Sequence, residues 1–462
     1  MKLTIYQTND IHSNFDKLAQ IAAYIKKNRK AEDFYFDCGD LCDLKDVMVQ
    51  GTNGVGAIQL LKAAGVNAMT VGNNEIDLAD KALSACAGQG LPLLSCNVTD
   101  NDGNELKNVK RSIVFERMGV RFLVIGVSPY YGYCETKGFQ PGKYNVFFEM
   151  GNIKTMEPIE QIRKELQKQA GAYDFCILLS HSGCFVEEMI MKQVPEIDLC
   201  LGGHSHTVNC EKKYINSGCY GQYIGKVQLE IEDGKVTDIS TELIENKGLP
   251  DAPEITELYE KETAEAARLL DKTLYTVDGL SWDFKKENLL TNFIAEALYT
   301  KYPCDLAFTN AGIVEGSIKG EISKQKLLEL SPSKLNPTRY PVKGRALKEA
   351  ICHSLDDAFV SQPAPGAGVR WSVLGTLGFS HNVSIQKEPF LVLVNGEPLD
   401  EELEYLCVAH DALQRGTGYK ELAAPDEKAE YFYGFIRDLL EATLQNPEIL
   451  QNARKQRMVE RR

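Results

Sequence analysis

Five short stretches of this sequence place potential metal ligands directly after apolar runs of the kind that form buried strands. They contain four of the seven histidines of the chain. Two divalent ions about 4 Å apart need one bridging carboxylate, with imidazoles, carboxylates and an amide oxygen on the remaining sides. The sequence therefore predicts a two-metal hydrolytic site. The stretches are Asp10-Ile11-His12, Gly39-Asp40, Gly72-Asn73-Asn74-Glu75, Ser180-His181 and Gly203-His204-Ser205-His206.

Each stretch is a weak signal when taken alone, because Asp-x-His and Gly-Asp turns after a strand often have only a structural role. The pair His204 and His206 is more informative. Alternation along an extended segment places both imidazoles on one face, although a buried structural pair is the alternative. Five such stretches in order, each at a strand exit, favour a common site.

The segment up to about residue 236 alternates apolar strands with amphipathic helices, which predicts an α/β fold. Polar side chains that follow several strands converge at one edge of such a sheet, where ligands usually bind. The predicted strands are 3–7, 34–37, 68–71, 122–127, 175–179 and 198–201, and the predicted helices are 17–27, 55–64 and 158–169.

A charged stretch at 252–272 has the composition of a solvent-bridging helix between two domains. A second unit then opens with a helix near 288–299 and a strand at 305–310, and a last helix is predicted at 426–444. The predicted organisation is a catalytic domain at 1–245, a helical linker at 246–273, a substrate-binding domain at 274–446 and a basic tail at 447–462. Within that tail, 453–462 is expected to be a solvated helix end or a frayed terminus.

Composition narrows the class of protein. A chain of 462 residues with a net charge of −14 does not suit a nucleic-acid polymer as partner. No signal peptide or membrane-spanning run is visible, and we expect no membrane partner. The thirteen cysteines are scattered and follow no zinc or disulfide spacing, so a cytoplasmic location with reduced thiols is expected.

Around the five stretches, the sequence resembles the calcineurin-like metallophosphoesterases, and within them the 5'-nucleotidase and 2',3'-cyclic-nucleotide phosphodiesterase family. The resemblance extends into the second unit through Asn310-Ala311-Gly312 and Gly416-Thr417-Gly418-Tyr419, and it covers nearly the whole chain. It implies an N-terminal four-layer αββα sandwich joined by a helical linker to a C-terminal α/β substrate domain.

The resemblance also implies a ligand set. Two divalent ions, with Mn, Zn, Fe or Co all compatible, would activate water and hold the phosphoryl oxygens of a small, nucleotide-like phosphorylated substrate. Asp40 would bridge them. One ion would be held by Asp10, His12, Asp40 and His206, and the other by Asp40, Asn73, His181 and His204.

The main departure from the family is Asn74. The family has histidine there, which stabilises the transition state and assists the leaving group, and an acidic partner corresponds to Asp77. An asparagine amide donates hydrogen bonds but does not transfer a proton, and loss of general-acid help costs about 10²- to 10⁴-fold. We expect slow hydrolysis of alkyl phosphates and better activity on esters whose leaving group needs no proton.

The second unit departs as well. Glu315 stands where family members have a substrate-binding arginine, and 331–333 and 411–413 lack the aromatic residues that sandwich a base. Asn310 and Gly312 are the candidate substrate-binding residues, although both could serve only to shape a turn.

Three hypotheses stay open. The first is a two-metal phosphoester hydrolase that acts on a nucleotide, as in nucleotide catabolism, or on another small phosphoester or anhydride. The second is a metal-binding homologue with weak or no activity that serves as a ligand sensor, as the substitutions Asn74 and Glu315 suggest. The third, a structural protein with satisfied histidines, would leave buried charges poorly compensated.

Overall fold

A computed structural model gives the structure of the protein and describes residues 1–134, 138–139, 145–366 and 369–459. The chain divides into two compact units, Met1–Leu269 and Leu270–Arg462. Each unit has its own buried apolar core, as expected for a chain of this length.

Two six-stranded sheets form the centre of the first unit. In both sheets the central strands run parallel, and antiparallel strands lie at one or both sides. The first sheet has the spatial order Lys235–Glu245, Tyr223–Glu232, Lys2–Thr8, Phe34–Asp37, Ala68–Thr70, Leu93–Leu94. The second has the order Val208–Glu211, Tyr214–Ser217, Leu199–Leu201, Phe175–Ser180, Val120–Val127, Ser112–Arg117.

The sheets pack face to face, and helices cover their outer faces. Phe34 and Phe36 of the first sheet meet Phe122 of the second in the inner core, whereas Tyr35 points to the outer layer of helices. Strands buried on both faces need apolar residues at nearly every position, which explains their short continuous apolar runs. The predicted four-layer sandwich is confirmed.

The helices of the first unit match the sequence periodicity closely. Those predicted at 17–27, 55–64 and 158–169 are observed with ends shifted by at most two residues. The helices are Phe15–Asn28, Val47–Thr52, Val55–Ala63, Asn73–Ile76, Ala79–Ala87, Asn145–Met150, Pro158–Lys168, Cys184–Gln193 and Pro253–Leu270.

The last of these helices, Pro253–Leu270, packs onto the first unit instead of bridging through solvent. Ile255 and Ala266 are buried in the core of that unit. A Cβ at Gly51 would lie only 2.5 Å from the Cβ of Ala266, so glycine permits this close approach. The charged residues that suggested a bridging helix occupy its other faces.

A five-stranded sheet and a four-stranded sheet form the second unit. The first has the order Leu377–Phe379, Leu306–Asn310, Glu404–His410, Pro337–Lys343, Glu430–Tyr431, and the second the order Glu397–Pro398, Leu391–Val394, Val383–Gln386, Met458–Val459. Its α-helices are Leu289–Lys301, Lys324–Leu330, Gly344–Ser354, Asp357–Val360, Asp411–Gln414, Ile436–Thr443 and Pro447–Ala453.

Two expectations near the C-terminus were wrong. The helix predicted at 426–444 begins only at Ile436, because Glu430–Tyr431 forms a strand beside Pro337–Lys343 and Gly434 has a left-handed backbone. Within the predicted basic tail, Pro447–Ala453 is a helix, and the end expected to be solvated instead contains the strand Met458–Val459, which pairs with Val383–Gln386.

Arg457 explains why this end of the chain is ordered. Its guanidinium is buried, lies 2.6 Å from the carboxylate of buried Glu296, and donates a hydrogen bond to the Phe379 carbonyl. Removing one partner of such a buried ion pair strongly destabilises the fold, because the other charge is left buried without compensation. One cation of the basic tail, Arg457, therefore has a structural role that the composition of the tail did not indicate.

Candidate metal centre

Strand ends from both sheets deliver the candidate ligands. Asp10 follows Lys2–Thr8 and Asp40 follows Phe34–Asp37 in the first sheet. His181 follows directly after Phe175–Ser180 in the second sheet. The carboxyl ends of these parallel strands lie at one edge of each sheet, where polar groups converge.

The ligand atoms form two groups. Within each group, atoms from the three side chains lie within 4.8 Å of one another. Asp40 faces both groups, because its Oδ1 lies 3.3 Å from His181 Nε2 and its Oδ2 lies 3.9 Å from His12 Nε2. One group is Asp10, His12 and His206, and the other is Asp40, His181 and His204.

Three buried donor atoms at this position have no hydrogen-bond partner: Asp10 Oδ1, Asn73 Oδ1 and His181 Nε2. Leaving such a group buried and unpaired costs about 1–3 kcal/mol, and more if it is charged. Carboxylate, amide and imidazole donors suit a divalent transition metal. The residues therefore fit a pair of metal ions by both donor chemistry and unmet bonding capacity.

Neighbouring groups fix the direction of these donor atoms. His181 Nδ1 lies 2.6 Å from the Cys38 carbonyl oxygen, which only accepts, so Nδ1 carries the proton in the neutral ring and Nε2 keeps its lone pair. Asp10 Oδ2 accepts from Asn9 Nδ2 and from the His204 amide, each within 2.8 Å. Those bonds leave Asp10 Oδ1 directed at the centre.

The electrostatics of the centre keep its carboxylates ionised. Burial alone raises the pKa of Asp40, but the nearby positive charge of His181, with that of His12, outweighs burial and lowers this pKa to about 2. Burial likewise lowers the pKa of His181, yet Asp40 and Asp10 raise it overall to about 10. The two carboxylates thus attract positive charge, which a dication supplies.

Five of the seven candidate ligands have a left-handed backbone, which is uncommon for residues other than glycine. Their φ angles lie between 47° and 68°. Each such residue costs of order 1–3 kcal/mol, and such strain concentrates at functional sites. The residues are Asp10, His12, Asp40, His204 and His206.

This backbone corrects one expectation about the histidine pair. His204 and His206 do not share one face of an extended segment, because both have positive φ angles in a turn. As a result His204 joins the group of Asp40, while His206 joins the group of Asp10.

Asn74 lies in the centre but its side chain is directed at neighbouring protein groups. Its backbone N–H donates to Asp40 Oδ1 at 2.8 Å. Its Nδ2 donates to the Cys42 carbonyl at 2.9 Å and is hydrogen-bonded to His12 Nδ1 at 3.1 Å, and the residue is buried. The half-buried Asp77 ends the same short helix, Asn73–Ile76.

Glu75 is a residue whose role the sequence reasoning missed. Its carboxylate is fully buried and accepts hydrogen bonds from the backbone N–H groups of Asp40, Cys42 and Gly72. It thereby ties the two turns that carry Asp40 and Asn73. The position of Glu75 within the stretch Gly72-Asn73-Asn74-Glu75 was the available signal.

The candidate substrate residues lie in the second unit. Asn310 is fully buried, and its Nδ2 donates to the Leu374 carbonyl at 2.6 Å while its Oδ1 lies 2.8 Å from His410 Nε2. A Cβ at Gly312 would lie 2.1 Å from the Val373 carbonyl oxygen. Packing alone accounts for both residues, and their substrate role stays a prediction.

Two family models match the chain, one in each unit. The calcineurin-like phosphoesterase model matches residues 3–208, which include all seven candidate ligands, and the 5'-nucleotidase C-terminal domain model matches residues 273–424. The chain joins a calcineurin-like phosphoesterase domain to a 5'-nucleotidase C-terminal domain. This confirms the family resemblance and the two-domain α/β architecture predicted from the motifs.

Two named relatives are similar to this chain over most of its length. The uncharacterized metallophosphoesterase YunD of Bacillus subtilis is 26% identical over 95% of this chain and 98% of that protein. The 5'-nucleotidase of Bos taurus is 24% identical over 77% of this chain and 72% of that protein. The similarity to both proteins therefore extends beyond the calcineurin-like domain.

The structure of the NAD nucleotidase of Haemophilus influenzae superposes with a TM-score of 0.64 at 16% identity, covering 100% of this chain and 97% of that chain. That of a putative 5'-nucleotidase of Staphylococcus aureus superposes with a TM-score of 0.62 at 17% identity, covering 100% of both chains. At these identities the likeness establishes the fold alone. Within the described ranges, no helix has the length and apolarity needed to cross a membrane.

Proposed function

We propose that this calcineurin-like phosphoesterase is a two-metal-dependent hydrolase of a nucleotide or another small phosphoester or anhydride. The observation that carries the proposal is the set of three buried, unpartnered donor atoms, on Asp10, Asn73 and His181, inside two converging ligand groups. These groups would hold two divalent ions, which activate water and offset phosphoryl charge when bound.

The two groups of ligand atoms support the following assignment of ligands. Asp40 would bridge, since its two oxygens face opposite groups. The amide of Asn73 adds the only amide oxygen to the donor set and lies at the start of a short helix, Asn73–Ile76. We propose Asp10, His12, Asp40 and His206 for one ion, and Asp40, Asn73, His181 and His204 for the other.

Leaving-group chemistry is the proposed point of difference from the family. Asn74 cannot supply a proton, and its Nδ2 hydrogens are directed to the Cys42 carbonyl and to His12. With Asp77 at the end of its helix, Asn74 would act by hydrogen bonding and by holding the centre in place. Substrates with a stable leaving group should therefore react fastest.

The natural substrate would be small and phosphorylated, and the names of the 5'-nucleotidase and NAD nucleotidase relatives support a nucleotide-like compound. A cytoplasmic location is proposed from the cysteines. The twelve cysteines whose side chains the structure describes are all free, and eight of them are buried. Free thiols in such number suit a reducing compartment.

A second candidate function is a metal-binding sensor with weak or no activity. The hydrogen bond between Asn74 Nδ2 and His12 Nδ1 favours it, because this residue is then committed to a ligand instead of to a substrate. The exposed side chain of Glu315, at the position of the family arginine, would also repel a phosphate.

Hydrolysis of p-nitrophenyl phosphate, bis(p-nitrophenyl) phosphate, cyclic nucleotides and nucleotide anhydrides with Mn²⁺ tests the proposal, with Asp40→Asn as the control. We expect aryl esters to be cleaved and Asp40→Asn to abolish cleavage. In Asn74→His, turnover of a nucleoside 5'-monophosphate should rise by about 10²-fold or more, and that of p-nitrophenyl phosphate much less.

Activity that survives Asp40→Asn would place the reaction elsewhere. Equal gains for both substrates in Asn74→His would refute the leaving-group explanation. Binding of Mn²⁺ and phosphonates without turnover of any ester would favour the sensor.

A further inference from the structure

Three large apolar side chains lie exposed beside the turn that carries His204 and His206. Phe185, Val208 and Tyr220 are 49%, 51% and 47% exposed. Val208 directly follows the turn, and the amide of Cys184, next to Phe185, donates to Ser205 Oγ at 3.3 Å. Exposed apolar side chains grouped beside a polar centre mark a binding surface.

Tyr220 is the member of this group closest to the ligands. Its ring centroid lies 5.5 Å from that of His12 and 5.9 Å from that of His206. Its N–H donates to the Asp10 carbonyl at 2.7 Å, and its carbonyl accepts from Asn14 Nδ2 at 3.2 Å. The backbone of Tyr220 is therefore fixed to the turn that carries Asp10 and His12.

The backbone of Tyr220 is strained. Its φ angle is 53°, an outlier for a bulky residue, and such a conformation costs of order 1–3 kcal/mol. The neighbouring residues with positive φ, Gly218 and Gly221, adopt theirs without that cost. Because the ring is half exposed, burial offsets little of the strain, so a role in binding is the better explanation.

We propose that Tyr220 is a stacking surface for an aromatic leaving group, and that the centre is adapted to aryl phosphoesters. This deepens the proposed function and rests on it. The inference joins two independent observations: an aromatic face at the edge of the ligand groups, and a centre in which Asn74 offers no proton to the leaving oxygen. An aryl oxygen needs no such proton.

The reaction balances without a further reactant. A water oxygen forms a bond to phosphorus and its proton passes to solvent. The bond from phosphorus to the aryl oxygen breaks, and its electron pair leaves with the aryloxide, which takes a proton from solvent when the pH lies below its pKa. Tyr220 takes no part in these steps and is a specificity residue.

The second unit offers no equivalent ring at the positions where the family has base-stacking aromatics. Ser331 is buried there, and so are Ala412 and Leu413. Stacking on an aromatic side chain contributes about 1–3 kcal/mol per ring. Tyr220 supplies such a face from the metal-binding unit instead.

Binding of two stable analogues to the Mn²⁺-loaded full-length protein tests the proposal by calorimetry. Phenylphosphonate should bind about tenfold or more tightly than methylphosphonate. Tyr220→Leu should remove most of that preference and leave methylphosphonate affinity unchanged, whereas Tyr220→Phe should retain it. Tyr433→Leu, a change at a 68% exposed tyrosine of the second unit, is the matched control and should have no effect.

Tyr220→Gly separates binding from folding. Because glycine relieves the strained backbone, the thermal midpoint should hold or rise while the phenyl preference is lost. An unchanged preference in Tyr220→Leu and Tyr220→Gly would overturn the stacking surface. Equal weakening of both phosphonates together with lower Mn²⁺ affinity would instead make Tyr220 a support for the histidines. Failure of the wild-type protein to bind either phosphonate would contradict the proposed function itself.

Discussion

Polar side chains follow buried strands in both units, but the two sets differ in whether their polar atoms have hydrogen-bond partners. At the strand ends of the first unit, Asp10, Asn73 and His181 each keep one buried donor atom without a hydrogen-bond partner. At the strand ends of the second unit, Asn310 and His410 bond to each other. The side chains of the first unit can therefore still bind a ligand, whereas Asn310 and His410 already satisfy each other's hydrogen bonds.

The difference shows what marks a site at a strand end. Glycines do not mark it, because both units use them for close approach. A Cβ at Gly72 would lie 2.3 Å from Asp40 Oδ1, and one at Gly312 would lie 2.1 Å from the Val373 carbonyl oxygen. Unmet bonding capacity together with a strained backbone distinguishes the metal-binding unit.

Removing a candidate metal ligand should give the largest effect and is the strongest test of this difference between the units. In His181→Ala, we expect Mn²⁺ content to fall from two ions to one and turnover of an aryl phosphate to fall about 10³-fold, because one ion supplies several kcal/mol of transition-state stabilisation. Metal analysis and steady-state kinetics measure both. His410→Ala, at the corresponding position of the second unit, should keep both ions. Loss of Mn²⁺ from that variant would refute the contrast.

A matched pair of amide truncations gives the next largest effect. In metal-free protein, Asn310→Ala should lower the free energy of unfolding by about 2–3 kcal/mol, since the Leu374 carbonyl and His410 lose their partners. Asn73→Ala should change it by less than about 0.5 kcal/mol, because Asn73 Oδ1 has no partner to lose and Asn73 Nδ2 makes only one long hydrogen bond, 3.4 Å, to Asn74 Oδ1. Urea unfolding in a chelator, followed by circular dichroism, measures both. A large loss in Asn73→Ala would show that its amide is structural.

Much of the fold was predictable because its signals are local. Apolar runs at 34–37 and 175–179 identified strands to within one residue, and 3.6-residue periodicity identified the helix Pro158–Lys168. The family motifs at Asp10 and Asp40 identified the candidate ligands in the same way, since each motif lies within a few residues of a strand end.

Features that depend on long-range contacts were not predictable. The separation of His204 and His206 into two groups requires left-handed backbones that no local pattern specifies. The strand Glu430–Tyr431 forms only because a distant strand pairs with it. The direction of the Asn74 amide depends on the carbonyl of Cys42 and on His12, which lies 62 residues away in sequence.

The smallest expected effect is a change in the stability of the second unit with pH, caused by His410. Burial, with the charge of Arg415, lowers the pKa of His410 to about 3, whereas an unfolded histidine titrates near 6.5. Below pH 6.5 the unfolded chain therefore binds a proton that the folded chain refuses, and stability falls with acid until about pH 3. Between pH 7 and pH 5.5 this residue alone should cost about 1 kcal/mol.

His410→Gln isolates that cost, because glutamine keeps a donor for Asn310 Oδ1 but does not titrate. Buried Asp37 and Glu187, whose pKa values burial raises to about 7, act in the opposite direction and cancel in the comparison. Both tryptophans of the chain lie in the second unit, and the ring of Trp371 is 5.7 Å from that of His410. Tryptophan fluorescence during urea unfolding should therefore show the wild-type protein losing about 1 kcal/mol more than the variant over this range. Equal losses would mean that His410 is protonated in the folded protein. The bond between His410 and Asn310 would then not be a bond between neutral groups, and the contrast with the unpartnered atoms of the metal centre would fail.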